Sequence, residues 1–143
     1  MVGELKRLPT PPESHGLIHA DLHTGNFFAT EAGELRVFDF DDACQHWFSY
    51  DLAVVINHLS RQLAPALRDP IFNAILAGYS RVRALPVGLS TELSLLLQLR
   101  NMQLYQLMHK KRLPADRDEG WHERAAKLAR RIRTEEPLGG SVL

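Results

Sequence analysis

The sequence predicts an α+β fold that is mostly α-helical, with one small β-hairpin near its start. Two observations carry this. Asn26-Phe27-Phe28-Ala29 and Leu35-Arg36-Val37-Phe38-Asp39-Phe40 are apolar, aromatic-rich runs separated by Thr30-Glu31-Ala32-Gly33-Glu34, and two such runs around a glycine-bearing turn read as a hairpin. From Asp51 onward, apolar residues recur at helical spacing in four successive stretches. The chain has 143 residues, 45% of them hydrophobic and 24% charged, which suits one domain with a core of its own.

In chain order, residues 1–16 carry Pro9, Pro11, Pro12 and Gly16 and read as an irregular lead-in. Leu17-Ile18-His19 is a strand stub, and residues 20–25 form a loop with Gly25 as its flexible point. In the hairpin, Gly33 can take positive φ in the turn. Asn26 opens one strand and Asp39 closes the other, so pairing brings them together. Asp51 then stands where it could cap a helix carrying Leu52, Val55, Ile56 and Leu59. A second helix covers 66–83, with Pro70 marking its start or a kink. A third runs from Ser90 or Thr91 to about Arg112; it is apolar around much of its circumference and should be central and largely buried. The last, roughly Glu119–Thr134, puts Trp121, Ala125, Leu128 and Ile132 on one face and bases on the other. No repeat or linker divides residues 1–143, which read as a single domain: the lead-in, then residues 17–42, then a helical part over 51–134.

The formal net charge is zero, which gives no reason to expect nucleic acid or membrane as a partner. The distribution is uneven. Residues 17–60 hold seven acids and one base, and residues 100–133 hold ten bases and four acids. The acidic stretch suits a metal or a cationic substrate; the basic one reads as a solvated helix face. Cys44 is the single cysteine; it can form no internal disulfide and reads as a small buried or half-buried filler. No stretch of about eighteen apolar residues occurs, and the first residues hold no apolar signal segment, so the expected location is cytoplasmic.

The residues that carry chemistry are His19-Ala20-Asp21-Leu22-His23-Thr24-Gly25-Asn26, followed by Phe38-Asp39-Phe40-Asp41-Asp42. Phosphoryl transfer asks for a proton acceptor beside the attacking hydroxyl and for oxygen ligands on a magnesium ion that neutralises the phosphates. Asp21 sits in a loop where its carboxylate can reach a hydroxyl. Asn26 offers a neutral oxygen and Asp39 a charged one, and magnesium needs few protein ligands because water and phosphate complete its shell. Asp41 and Asp42 read equally as metal or substrate neighbours and as solvated acids. His46, His58, His109 and His122 read as surface or core-edge residues. A different assignment, a metal-dependent hydrolase, would make His19, Asp21 and His23 the ligands.

His-x-Asp-x-x-x-x-Asn followed by Asp-Phe resembles the catalytic and metal loops of protein-kinase-like enzymes. The finer resemblance is to the aminoglycoside phosphotransferase family, which includes choline-kinase-like and homoserine-kinase-like small-molecule kinases. Its strings run Ile-His-Gly-Asp-Leu-His-x-Gly-Asn, then hydrophobic-Asp-Phe-(Gly/Asp)-Asp, then Asp-Leu-Ala. The chain reads Ile18 to Asn26, Phe38 to Asp42, and Asp51-Leu52-Ala53, with Ala20 in place of the glycine. The resemblance spans residues 17–53, and the later helices are similar to that family's helical subdomain.

That likeness implies the C-terminal, catalytic lobe of a protein-kinase-like fold, with the hairpin carrying the metal loop. It implies an ATP-dependent phosphotransferase acting on a small-molecule hydroxyl, with ATP and Mg2+ as cofactors. Asp21 would be the catalytic base, with His23 near the transferred phosphate. Asn26 and Asp39 would be the metal and nucleotide ligands, and His19 and Asp51 structural supports. No arginine lies between His19 and Asp21, where regulated protein kinases carry one, so protein substrates are not expected. No Gly-x-Gly-x-x-Gly loop of the nucleotide-binding lobe occurs. The expectation is then that the chain is a fragment or a mis-started reading frame of a full kinase, or a short protein that takes the other lobe from a partner chain, and that the exposed cleft rim drives self-association. A non-enzymatic binding module built on such a lobe is the other reading.

Overall fold

Two short antiparallel ribbons lie on a stack of helices in the computed structural model, which describes residues 2–134. The elements are α1 (Val2–Leu5), β1 (His15–Ile18), β2 (Phe27–Ala29), β3 (Leu35–Val37), β4 (Cys44–Trp47), α2 (Ser49–Gln62), α3 (Pro65–Ser80), α4 (Leu89–Lys111) and α5 (Glu119–Arg133), with a single 3-10 turn at Pro114–Asp116.

The expected hairpin is β2 and β3, with Phe27 opposite Val37 and Ala29 opposite Leu35. It is shorter than the apolar runs, because Phe38 leaves the ladder and Asp39 turns sharply into positive φ (63°). Gly33 supplies the turn at φ 79°, and Thr30 closes it by accepting the Gly33 N–H at 2.9 Å.

The second ribbon was not foreseen. β1 pairs with β4, His15 opposite Trp47 and Ile18 opposite Cys44. Cys44-Gln45-His46-Trp47 has neither β-branched residues nor alternation, so local pattern gives no strand signal; the pairing comes from the backbone of β1. It corrects two readings. Residues 1–16 are not wholly irregular, since they hold α1 and the start of β1. Cys44 is exposed rather than a filler, since it opens the edge of a two-stranded ribbon.

The core gathers Ile18 of β1, Tyr50, Leu52, Ala53, Val54 and Ile56 of α2, Phe72 and Leu76 of α3, and Leu89, Leu93 and Leu96 of α4. α2 is the hub. It begins at Ser49, with Phe48 as its N-cap residue, so Asp51 is not the cap and its carboxylate is free for other work. Pro65 starts α3 in the first turn, where a missing N–H costs nothing, and Pro70 lies inside the same helix on its exposed side. α4 is buried only through its first half. Beyond Asn101 it is half-covered, mainly by the amphipathic helix α5, and Leu107 is exposed. α5 buries Trp121, Ala125 and Leu128, and Asp118 caps it by accepting the Trp121 N–H at 2.6 Å. Asn57 of α2 and Asn101 of α4, both buried, are joined Nδ2 to Oδ1 at 2.8 Å, which fixes the register between the two central helices.

Candidate active site

The loop from His19 to Asn26 is built from backbone and from one carboxylate below it. Ala20 is held at φ 65°, a left-handed conformation that costs a residue with a Cβ about 1 kcal/mol or more. Asp51, in the first turn of α2, holds that bend: Oδ2 accepts the His19 N–H at 3.0 Å and Oδ1 the Ala20 N–H at 2.8 Å. The family string carries glycine at this place, and the positive φ gives the reason. His19 is buried, its ring 4.6 Å from that of Phe40. Its Nδ1 accepts the Asp21 N–H at 3.4 Å, so Nε2 carries the proton and donates to the Phe38 carbonyl at 2.9 Å. One imidazole thus ties the loop to the end of β3. The same bonds occupy both ring nitrogens with backbone, which removes His19 as a metal ligand and with it the hydrolase arrangement. Among the described residues, no group of three or more His, Cys, Asp or Glu side chains is set to hold a metal ion.

Asn26 is buried. Its Nδ2 donates to the Asp21 carbonyl at 3.0 Å and reaches Asp21 Oδ2 at 3.4 Å. Its Oδ1 accepts no hydrogen bond among the described residues, so a hard oxygen is left available beside Asp21. The Phe38 N–H donates to the Asn26 carbonyl at 3.0 Å, which brings Asp39 next in line to Asn26 across the hairpin. Asp39 is exposed and has no ion pair among the described residues. Asp41 and Asp42 sit in the following exposed turn. An amide oxygen and a carboxylate oxygen, both uncommitted and on the two strands at the open end of one hairpin, suit a hard divalent cation.

His23 lies over Asp21, Nε2 to Oδ2 at 3.3 Å, and its Nδ1 accepts the Gly25 N–H at 3.0 Å. A Cβ on Gly25 would fall 2.8 Å from the His23 ring, so glycine is needed for close approach and not for flexibility. Three neighbours were not anticipated from sequence. Arg100 of α4 forms an ion pair with Asp21 Oδ1 from 79 residues away, its side chain 13% exposed. His58 of α2 stacks on His23 at 5.0 Å and bonds Thr24 Oγ1 through Nε2 at 2.7 Å. Tyr50 donates its hydroxyl to Gln103 beneath Arg100, and burial pushes its phenol pKa up. The available signal was the Arg100-Asn101 pair shortly after the apolar run Leu95-Leu96-Leu97, and His58 one residue after the buried Asn57.

Burial, then the nearby His23, Arg61 and Arg100, hold the His58 imidazole below the usual histidine range, against a smaller opposing pull from Asp21. Burial, then His15, does the same to His46. Both groups bind protons more readily in the unfolded chain, so stability is lost as pH falls through the ordinary histidine value of about 6.5. Urea unfolding should show a lower midpoint at about pH 5.5 than at about pH 7, and His58→Gln should reduce that drop. An unchanged midpoint over that range would contradict the burial of both rings.

Comparison with known proteins gives a consistent family. Residues 4–85 match the profile of the phosphotransferase enzyme family. Amicoumacin kinase of Bacillus subtilis (strain 168) is 33% identical over 115 residues, covering 76% of this chain and 34% of that protein. Homoserine kinase of Neisseria meningitidis serogroup B is 38% identical over 71 residues, covering 49% of this chain and 23% of that protein. A solved structure, amicoumacin kinase hAmiN in complex with AMP-PNP, Ca2+ and Ami, superposes with a TM-score of 0.85 at 26% identity, over 96% of this chain and 42% of that one. The chain therefore spans about a third of the length of the first of these relatives and less than half of the solved structure. No helix among the described residues is long and apolar enough to cross a membrane. The mostly helical architecture with its small ribbons is that of the kinase it superposes on, and with the profile match over residues 4–85 the chain belongs to the phosphotransferase enzyme family.

Proposed function

We propose that this unit supplies the catalytic and metal-holding groups for transfer of the γ-phosphate of ATP to a hydroxyl of a small molecule. The observation that carries the reading is the uncommitted oxygen of Asn26 beside Asp21, with Asp39 brought alongside by the Phe38–Asn26 bond. Asn26 Oδ1 and the Asp39 carboxylate are the residues that would hold Mg2+, which when bound neutralises the phosphate oxygens. Asp21 takes the proton of the attacking hydroxyl through a carboxylate oxygen. His23 stands over the same carboxylate, its Nε2 toward Asp21 Oδ2 and its Nδ1 accepting the Gly25 N–H, and holds that carboxylate in place beside the transferred group. Asp51 and His19 fix the loop that carries Asp21.

The exposed apolar residues of the hairpin, Phe28, Leu35, Val37 and Phe38, support a surface that covers a nucleotide base or receives a second lobe, contributed in the same protein or by another chain, with self-association as the further option. The neighbour bound to AMP-PNP and Ca2+ supports a nucleotide with a divalent ion, and the relatives named as amicoumacin and homoserine kinases support a small hydroxyl-bearing acceptor. Cytoplasmic location fits that chemistry. The test is incubation with Mg–ATP and a panel of small hydroxyl compounds, followed by mass spectrometry. A phosphorylated compound that depends on Asp21 is the expected result. Protein that binds Mg–ATP and passes phosphate to no hydroxyl would contradict the assignment.

A further inference from the structure

α2 presents a second group to the loop that carries Asp21. His58 follows Asp51 by two helical turns, so both side chains stand on the same face of α2, about 10 Å apart along its axis. Asp51 takes the inner half of the loop, the His19 and Ala20 N–H groups. His58 meets the outer half. Its Nε2 shares a hydrogen bond of 2.7 Å with Thr24 Oγ1, and its ring lies on that of His23, with centroids 5.0 Å apart and planes 13° from parallel. The roll of α2 at that height is set by the adjacent Asn57, through its buried bond to Asn101 of α4.

The outer half needs such a support. Thr24 and Gly25 are exposed, and among the described residues the Thr24–His58 bond is the one hydrogen bond from residues 23–25 to a helix. The other bonds there are local: the Asn26 N–H to the His23 carbonyl at 2.8 Å, and the Gly25 N–H to His23 Nδ1 at 3.0 Å. The second leaves the proton of a neutral His23 on Nε2, which lies 3.3 Å from Asp21 Oδ2. A ring held at two edges can still rock about the line between them; a second ring stacked on its face stops that motion. Burial first, then His23, Arg61 and Arg100, keep His58 below the usual histidine range, against a smaller pull from Asp21. It therefore enters the stack uncharged at about pH 7.

We propose that His58 is a positioning residue for phosphate transfer: through Thr24 and the face of His23 it holds the outer half of the loop, and so keeps the Asp21 carboxylate aimed at the acceptor hydroxyl. This rests on the phosphotransferase reading for the role of Asp21. His58 acts through His23 rather than on the reacting atoms. The carboxylate is then steadied from two helices, by Arg100 of α4 on Oδ1 and by His58 of α2 through His23 on Oδ2. A misplacement of about 1 Å in a reacting group can cost about a hundredfold in rate, so a support of this kind bears on kcat.

The full 143-residue chain, isotopically labelled, is compared with its His58 variants by NMR at about pH 7.5, where histidine is mostly neutral. In the unaltered chain the His23 Nδ1 and Nε2 signals should lie far apart, as a single tautomer requires, and the Thr24 and Gly25 amides should have order parameters of about 0.85. His58→Ala should draw the two ring signals together and drop both order parameters below about 0.6, while the Ala20 amide, held by Asp51, stays rigid. His58→Gln keeps a partner for Thr24 without the ring, and His58→Phe keeps the ring without the bond; each should restore part of the loss. In the transfer assay with Mg–ATP, His58→Ala should lower kcat about tenfold and change KM by less than about twofold. Unchanged His23 ring signals in a folded His58→Ala chain, equal loosening at Ala20, or an unchanged kcat would overturn the proposal. An unaltered chain that passes phosphate to no hydroxyl removes the phosphotransferase reading instead, and the ring signals then decide by themselves whether His58 holds His23.

Discussion

Asp21→Asn is expected to lower the rate of phosphate transfer by about 100- to 10,000-fold, the usual contribution of a positioned proton acceptor. Asparagine keeps the size of the side chain and its place in the loop, whose course is set by Asp51 and His19 through backbone bonds. What it loses is the charge and the basic oxygen. The fall should appear in kcat, since the phosphate-side groups Asn26 and Asp39 are untouched. A second effect accompanies it: Arg100 loses its carboxylate, so the variant should also be less stable by about 1–3 kcal/mol. Kinetics and urea unfolding on the same sample separate the two. A variant that transfers phosphate at the original rate would remove Asp21 from the chemistry.

Asp51→Ala is expected to be the most damaging single change to the architecture of the site. The carboxylate accepts two backbone N–H groups, from His19 and Ala20, and the second belongs to a residue in a left-handed bend. Alanine leaves both donors without an acceptor, at about 1–3 kcal/mol each when screened from water. The sum, about 2–6 kcal/mol, is a large part of the stability of an ordinary domain. Asp51→Asn keeps one acceptor oxygen and should lose roughly half as much. The measurement is the urea midpoint at constant m; a loss below about 0.5 kcal/mol for Asp51→Ala would place it in the range of ordinary surface substitutions and deny it the bracing role.

Much of this was legible in the chain because it is local. The hairpin follows from two aromatic runs and Gly33, and the four long helices from apolar spacing that starts and stops at proline, glycine and acidic caps. Their observed bounds depart from expectation by a few residues, as at Ser49 and Leu89. What was not legible is long-range. β4 exists because the backbone of β1 needs a partner, and no feature of Cys44-Gln45-His46-Trp47 declares it. Arg100 and His58 reach Asp21 and His23 only because α2 and α4 pack side by side. A count of charges along the sequence placed acids near Asp21 and bases in a distant tail, whereas packing brings one of those bases onto Asp21 itself. Ala20 shows the opposite case: its small departure from the family string has a clear physical meaning once its φ of 65° is known.

The central claim is that Asn26 and Asp39 hold one divalent ion beside Asp21, and paramagnetic broadening tests it most directly. Mn2+ is titrated with AMP-PNP into the isotopically labelled chain, and the amide signals that disappear first are mapped. The arrangement predicts broadening centred on Asp21, Asn26 and Asp39, with the α5 amides of Trp121 and Leu128 sharp, and its loss in Asp39→Asn. Broadening centred on the Asp41–Asp42 turn, or unchanged in Asp39→Asn, would contradict it.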